Sequence, residues 1–105
     1  MYIFNTTFNI EHSIIEEATA NIQNDFVPDI LNTGLFNKAI FTRIMGQDNQ
    51  DAMSYSLQLF CQSPSAFDTF QKEKTEMFSD LVQPYGGKIV YFQTLMKILS
   101  VDGGK

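Results

Sequence analysis

The chain has 105 residues, of which 44% are hydrophobic and 10 are Phe, and its net charge is -5 with 12 acidic against 7 basic side chains. This length and composition predict one domain whose single core needs no disulfide or metal to hold it. The acidic balance argues against binding to nucleic acid or to an anionic membrane surface, since both attract clustered Lys and Arg, and Arg43 is the only arginine.

Cys61 is the only cysteine, which excludes an intramolecular disulfide and a cluster of several cysteines around a metal. No run approaches the ~20 apolar residues of a membrane span, and the N-terminus lacks a signal pattern, so we expect a cytoplasmic protein.

The first strand and the first helix are predicted from two different periodicities. Residues 2–9 alternate, with apolar side chains at most even positions and polar side chains at most odd positions. A helix is predicted to follow from Ser13, because Ser13 and Glu16 have the spacing of a capping box. Its apolar face consists of Ile15, Ala18, Ile22, Phe26 and Ile30. Pro28 falls inside this pattern and predicts a kink or break near residues 24–27, since proline removes a backbone donor.

Two further strands are predicted at residues 38–45 and 53–61, with a polar, turn-prone hairpin at residues 46–51 between them. The second strand is apolar on both sides. The third strand alternates, with Tyr55 and Leu57 on its apolar side.

A second helix and a fourth strand complete the chain. The segment Ser63-Pro64-Ser65 predicts the helix start, and Asp68 adds a second Ser-x-x-acid cap. The apolar stripe of this helix is Phe67, Phe70, Met77 or Phe78, and Leu81. The fourth strand is predicted at residues 88–99 and is apolar on both sides. Residues 102–105 are expected to form a disordered tail.

The order β-α-β-β-α-β predicts an α+β, ferredoxin-like domain over residues 1–101. Such a domain has a four-stranded antiparallel sheet, in the strand order 4-1-3-2, with two helices on one face. The helices can cover only one face, which leaves the apolar flanking strands exposed on the other. A second copy of the sheet is the simplest cover, so we predict a homodimer through the sheet face.

A set of polar side chains in this second face is the candidate ligand-binding site. Asn5, Thr7, Ser56 and Gln58 lie on the central strands and are predicted to point away from the helices, and Gln93 is a possible addition from the fourth strand. One interpretation is a small-molecule pocket between the two sheets of the dimer. The other is a hydrated dimer interface in which these polar groups hydrogen-bond to one another. We prefer this second interpretation, because wet polar interfaces are common.

The sequence offers no catalytic residue, metal site or cofactor site that we can name. His12, the only histidine, is predicted to be a solvated loop residue, and Cys61 a small buried hydrophobe. The acidic segment 48–51 lacks the length and the terminal Glu of a calcium loop. Copper chaperones, RNA-recognition modules and acyl-phosphate hydrolases of this fold carry paired cysteines, exposed strand aromatics or a loop arginine, and the corresponding positions here lack them.

Four stretches of the sequence carry a family resemblance, and together they span most of the chain. They are residues 2–7 (YIFNTT), 27–34 (VPDILNTG), 54–61 (SYSLQLFC) and 85–95 (YGGKIVYFQTL). In these the chain resembles a family of short bacterial, Bacteroidetes-type proteins known as domain of unknown function 4286. The resemblance implies a dimeric α+β barrel and no established activity.

Three functions therefore stand as hypotheses. The first is a small homodimeric binding or regulatory module with a polar cavity between its sheets. The second, by analogy with other dimeric α+β barrels, is a cofactor-independent enzyme of the oxygenase or isomerase type. The third is an assembly protein without a ligand. A titratable group inside the cavity would favour the enzyme, and since the sequence identifies none, the module is preferred.

Overall fold

A computed structural model describes residues 1–46 and 51–104 of the chain. Its strands and α-helices are, in chain order, β1 (Tyr2–Glu11), α1 (Ile15–Asn21), α2 (Val27–Leu31), β2 (Lys38–Arg43), β3 (Ala52–Cys61), α3 (Pro64–Glu73), α4 (Glu76–Val82) and β4 (Ile89–Lys97). The predicted hairpin at 46–51 and the acidic segment at 48–51 fall largely outside the described residues.

The four strands form one antiparallel sheet in the order β2-β3-β1-β4. The predicted ferredoxin-like fold and its strand order are thereby confirmed. The first strand lies at the centre, where Phe4 is paired with Leu59 of β3 on one side and with Leu95 of β4 on the other. This register sets which side chains share each face of the sheet.

The first helical segment is distorted where Pro28 predicted it. A π-helix at Ile22–Phe26 separates α1 from α2, and the Val27 N–H donates to the carbonyl of Ile22, five residues back. Because Pro28 has no N–H, a regular α-helix would leave the carbonyl four residues earlier without a donor, and a π turn shifts the hydrogen-bond ladder around that gap. The predicted capping box at Ser13 is wrong, because Ser13 lies in a 3-10 turn and the α-helix begins only at Ile15.

The second helical segment is also divided, which the sequence pattern did not predict. Helix α3 ends at Glu73. The N–H of the next residue, Lys74, donates to the Phe70 carbonyl at 2.8 Å, and its φ of -129° leaves the helical region. The start of α3 is capped by Ser63, whose hydroxyl accepts from the Ala66 N–H at 3.4 Å. Helix α4 then continues the apolar face.

Aromatic rings dominate the core between the helices and the sheet. Phe70 and Phe78 are buried and lie within 5.8 and 6.0 Å of the Phe4 ring, measured between centroids. The predicted stripe of the second helix is confirmed, with Leu81 buried and with Phe67 and Met77 half-buried against the core. No helix in the described part of the chain lies on the opposite face of the sheet, which we call the open face. Among the described residues, no helix is long and apolar enough to cross a membrane.

Candidate functional site

The open face carries a band of polar side chains along its two central strands. This polar band consists of Asn5, Thr7 and Asn9 of β1 and Ser54, Ser56 and Gln58 of β3. The strand register places them in three facing pairs, Asn5 with Gln58, Thr7 with Ser56, and Asn9 with Ser54. The structure therefore brings together four of the five residues predicted for the site.

Hydrogen bonds within the polar band fix the orientation of the Asn5 amide. The Ser56 hydroxyl donates to Asn5 Oδ1 at 2.6 Å, and Asn5 Nδ2 donates to the Thr7 hydroxyl at 3.2 Å. Farther along, Asn9 Nδ2 donates to the Ser54 hydroxyl at 3.4 Å. Since the amide oxygen and nitrogen of Asn5 have different partners, a ligand or partner chain would meet these groups in a set arrangement.

Gln58 differs from the rest of the polar band. Its half-buried side chain makes no hydrogen bond to any other described residue, although it lies between Asn5 on β1 and Ile40 on β2. An amide carries two donors and one acceptor oxygen. Gln58 is therefore the group in the polar band with the most hydrogen-bonding capacity left for a molecule placed on the open face.

The fifth predicted residue, Gln93, lies on the other side of the sheet, so its placement with the polar band is wrong. Gln93 is paired with Thr6 in the β1–β4 register, and its Nε2 donates to the buried Thr6 hydroxyl at 3.1 Å. Side chains alternate between faces along a strand, so Thr94, opposite Asn5, occupies the open-face position instead. Gln93 has the same parity as Ile89 and Tyr91, which the structure places against the core, but because β4 is apolar on both sides the sequence alone did not show which side faces the helices.

Apolar side chains flank the polar band on the outer strands. On β4, Phe92 is 66% exposed and Val90 is 58% exposed, and Met96 follows on the same face. On β2, Ile40 is exposed next to Gln58. The open face therefore combines a hydrogen-bonding centre with apolar margins, as the sequence predicted.

The polar band contains amide and hydroxyl groups and no ionisable side chain. The strand positions of the open face that do ionise are Glu11 and Lys38, which lie at opposite ends of the sheet. Within the described residues, no group of three or more His, Cys, Asp and Glu side chains could hold a metal ion. The polar band can thus bind and orient a molecule through neutral hydrogen bonds, but it offers no general acid or base.

Cys61 and His12, the two other side chains considered in the sequence, lie away from the polar band. Cys61 is buried on the helix side of the sheet, and burial raises the pKa of its thiol, which disfavours the reactive thiolate. This confirms its predicted role as a small core residue. His12 is exposed at the start of the 3-10 turn, and its backbone N–H donates to the carbonyl of Asp51 at 2.8 Å.

Solved structures with the same fold are numerous but distant in sequence. HapK from Hahella chejuensis is similar over 100% of this chain and 99% of its own, with a TM-score of 0.69 and 14% identity. A dimeric ferredoxin-like protein from an uncultured marine organism gives a TM-score of 0.61 at 10% identity, covering 96% of this chain and 97% of that one. A putative antibiotic biosynthesis monooxygenase from Bacillus cereus gives 0.59 at 8% identity, covering 98% and 97%. At these identities the similarity shows the fold alone.

The sequence itself matches one family model. Residues 1–99 match the family described as Domain of unknown function (DUF4286). A search of curated proteins finds no significant match.

Proposed function

The chain belongs to the DUF4286 family, and we propose that it acts as a homodimeric binding or regulatory module whose polar band holds a small, uncharged ligand between two open faces. The observation that carries the proposal is the hydrogen-bonded polar band at the centre of an exposed face with apolar margins.

Dimerisation is supported by the exposed side chains of β4 and β2. Large apolar side chains gathered on one face are typical of an interaction surface. A second copy related by a two-fold axis would cover the margins of both molecules with one another. Several solved proteins of the same fold are described as dimeric.

The chemistry of the ligand follows from the polar band. Asn5 is held by Ser56 and Thr7, while Gln58 retains its donors and acceptor. Enclosed amides and hydroxyls bind uncharged polar groups well, whereas a charged ligand would lose its hydration without an opposite charge to replace it. We therefore propose a ligand with neutral donors and acceptors. The proposal includes a cytoplasmic location, which the single free thiol at Cys61 supports and cell fractionation can test.

A thermal-shift screen of uncharged metabolites, followed by titration of any hit, tests the ligand. Asn5→Ala and Gln58→Ala should each weaken binding by about 1–3 kcal/mol, because each removes a buried hydrogen-bond partner. Gln71→Ala is the control, since Gln71 is an exposed glutamine on α3, away from the open face. A hit that both site variants bind as tightly as the wild type does would place the ligand elsewhere. A screen without hits would favour the assembly protein without a ligand.

A cofactor-independent enzyme is the alternative, favoured by the fold shared with the putative monooxygenase. This alternative ranks second because the polar band has no group that titrates near neutral pH. Incubating the protein with any hit in air and analysing the mixture by mass spectrometry separates the two functions. A module returns the ligand unchanged, and an enzyme converts it.

A further inference from the structure

A separate cavity lies at the end of the sheet where β1 and β2 begin and β3 ends. Its volume is about 520 Å³, within the range of roughly 300–1,000 Å³ found for ligand pockets. Its walls are formed by Met1, Asn37, Lys38, Phe60, Ile98 and Val101. None of these residues belongs to the polar band, and all are contributed by one chain.

Backbone hydrogen bonds fix two walls of this end cavity. The Asn37 N–H donates to the Phe60 carbonyl at 2.9 Å, and the Ile98 N–H donates to the Met1 carbonyl at 3.0 Å. The first bond holds the start of β2 against β3, and the second holds the end of β4 against the start of β1. Residues that are distant in sequence thus form one site.

Among the described residues that line the end cavity, Lys38 is the one with a charged side chain. Its Nζ lies 5.2 Å from the centroid of the Phe60 ring, a cation–π contact that holds the ammonium against the cavity wall. The ring engages one side of the ammonium, which leaves N–H donors for an anion. Phe60, Ile98 and Val101 supply apolar surface beside that charge.

We propose that the end cavity binds an amphipathic carboxylate, with the carboxylate on Lys38 and an apolar body against Phe60, Ile98 and Val101. A cation at the edge of an apolar wall matches a ligand with one anionic end and one apolar end. The net charge of -5 repels anions at long range, so binding must come from local recognition by Lys38. Lys38 and Phe60 are open-face positions at the end of β2 and β3, so the cavity borders the proposed dimer interface, but its lining comes from one chain and contains no residue of the polar band.

Octanoate and its neutral analogue octanamide serve as probes, with binding followed by amide chemical shifts of the ¹⁵N-labelled protein. Octanoate should shift the amides of Asn37, Lys38, Phe60 and Ile98, and octanamide should bind about tenfold more weakly, since a charge-assisted hydrogen bond is lost. Lys38→Gln should weaken octanoate binding by a similar factor. Val101→Ser should weaken it about threefold through loss of apolar contact; this exposed position tolerates the change without unfolding.

Lys97→Gln is the matched control, because Lys97 also lies near this end of the sheet but points to the helix side and does not line the cavity. It should change octanoate affinity by less than about twofold, as expected for a distant surface charge. Asn5→Ala and Gln58→Ala should leave the affinity unchanged, which separates this site from the polar band. The proposal is overturned if octanoate does not bind, if octanamide binds equally well, or if Lys38→Gln and Lys97→Gln have the same effect.

Discussion

The two phenylalanines of α3 differ in how fully the core buries their side chains. Phe70 is fully buried, with its ring 5.3 Å from Phe36 and 6.1 Å from Phe78 between centroids. Phe67 is half-buried and contacts Phe4 at 4.9 Å. Both belong to the stripe that the sequence predicted, yet periodicity could not rank them.

Phe70→Ala should lower the free energy of unfolding by about 3–5 kcal/mol, because it removes a large buried ring and leaves a cavity. Phe67→Ala should cost less, since part of its surface already contacts water. Urea titrations of both variants against the wild type measure the difference. A loss below about 1 kcal/mol for Phe70→Ala would show that the ring is not an anchor of the core.

The face of the sheet on which Gln93 lies could not be predicted from the sequence. The sequence identified the polar residues of the central strands correctly because each strand alternates cleanly there. Gln93 sits in a strand that is apolar on both sides, so composition gave no contrast between the faces. Its bond to Thr6 depends on the pairing register between strands 87 residues apart, which no local pattern encodes.

Two serines with similar sequence patterns differ in whether they cap a helix. Ser13 and Ser63 each precede an apolar helical pattern. Only Ser63 acts as an N-cap in the structure, and it immediately precedes Pro64 in the first turn. Proline fixes the φ angle that the first helical residue needs, which favours a helix start there. At Ser13 the chain leaves β1 through a 3-10 turn. Ser13 lies inside this turn and therefore does not cap the helix, although the sequence pattern favours a cap.

Ser63→Ala should therefore lower the free energy of unfolding by about 0.5–1 kcal/mol, at the lower end for a lost cap because the hydrogen bond is long at 3.4 Å. Ser13→Ala is the matched control and should change it by less than about 0.5 kcal/mol, as most exposed sites do. Thermal and urea unfolding of the two variants provide the comparison. Equal losses would mean that both serines cap helices.

The whole molecule presents one covered and one open sheet face, and this asymmetry was predictable from the sequence. Two-sided apolarity of the outer strands, with polar positions on the central ones, already implied a covered face and a partner face. The pattern also predicted the distortion of the first helical segment, through Pro28, but it did not predict the division of the second segment at Lys74. No proline or glycine marks the break at Lys74, so the local sequence carried no signal for it.

Phe92→Glu tests the dimer at this scale. Phe92 is the most exposed aromatic residue of the open face, so the change should leave the circular dichroism spectrum intact while placing an unpaired charge in the interface. Light scattering at micromolar concentration should give about twice the chain mass for the wild type and a single chain mass for the variant. Gln71→Glu adds the same charge on α3 and should remain dimeric. A monomeric wild type, or a Phe92→Glu variant that stays dimeric, would contradict the dimer.

The central position of β1 also has a consequence during synthesis. Its partner β4 begins at Ile89, so the strand made first cannot complete its pairing until the strand made last has left the ribosome. At typical translation rates the delay is roughly 4–16 s. During that interval the backbone N–H and C=O groups on the edge of β1 that pairs with β4 have no strand partner. Successful folding in the cell therefore depends on how this edge is shielded before the last strand arrives.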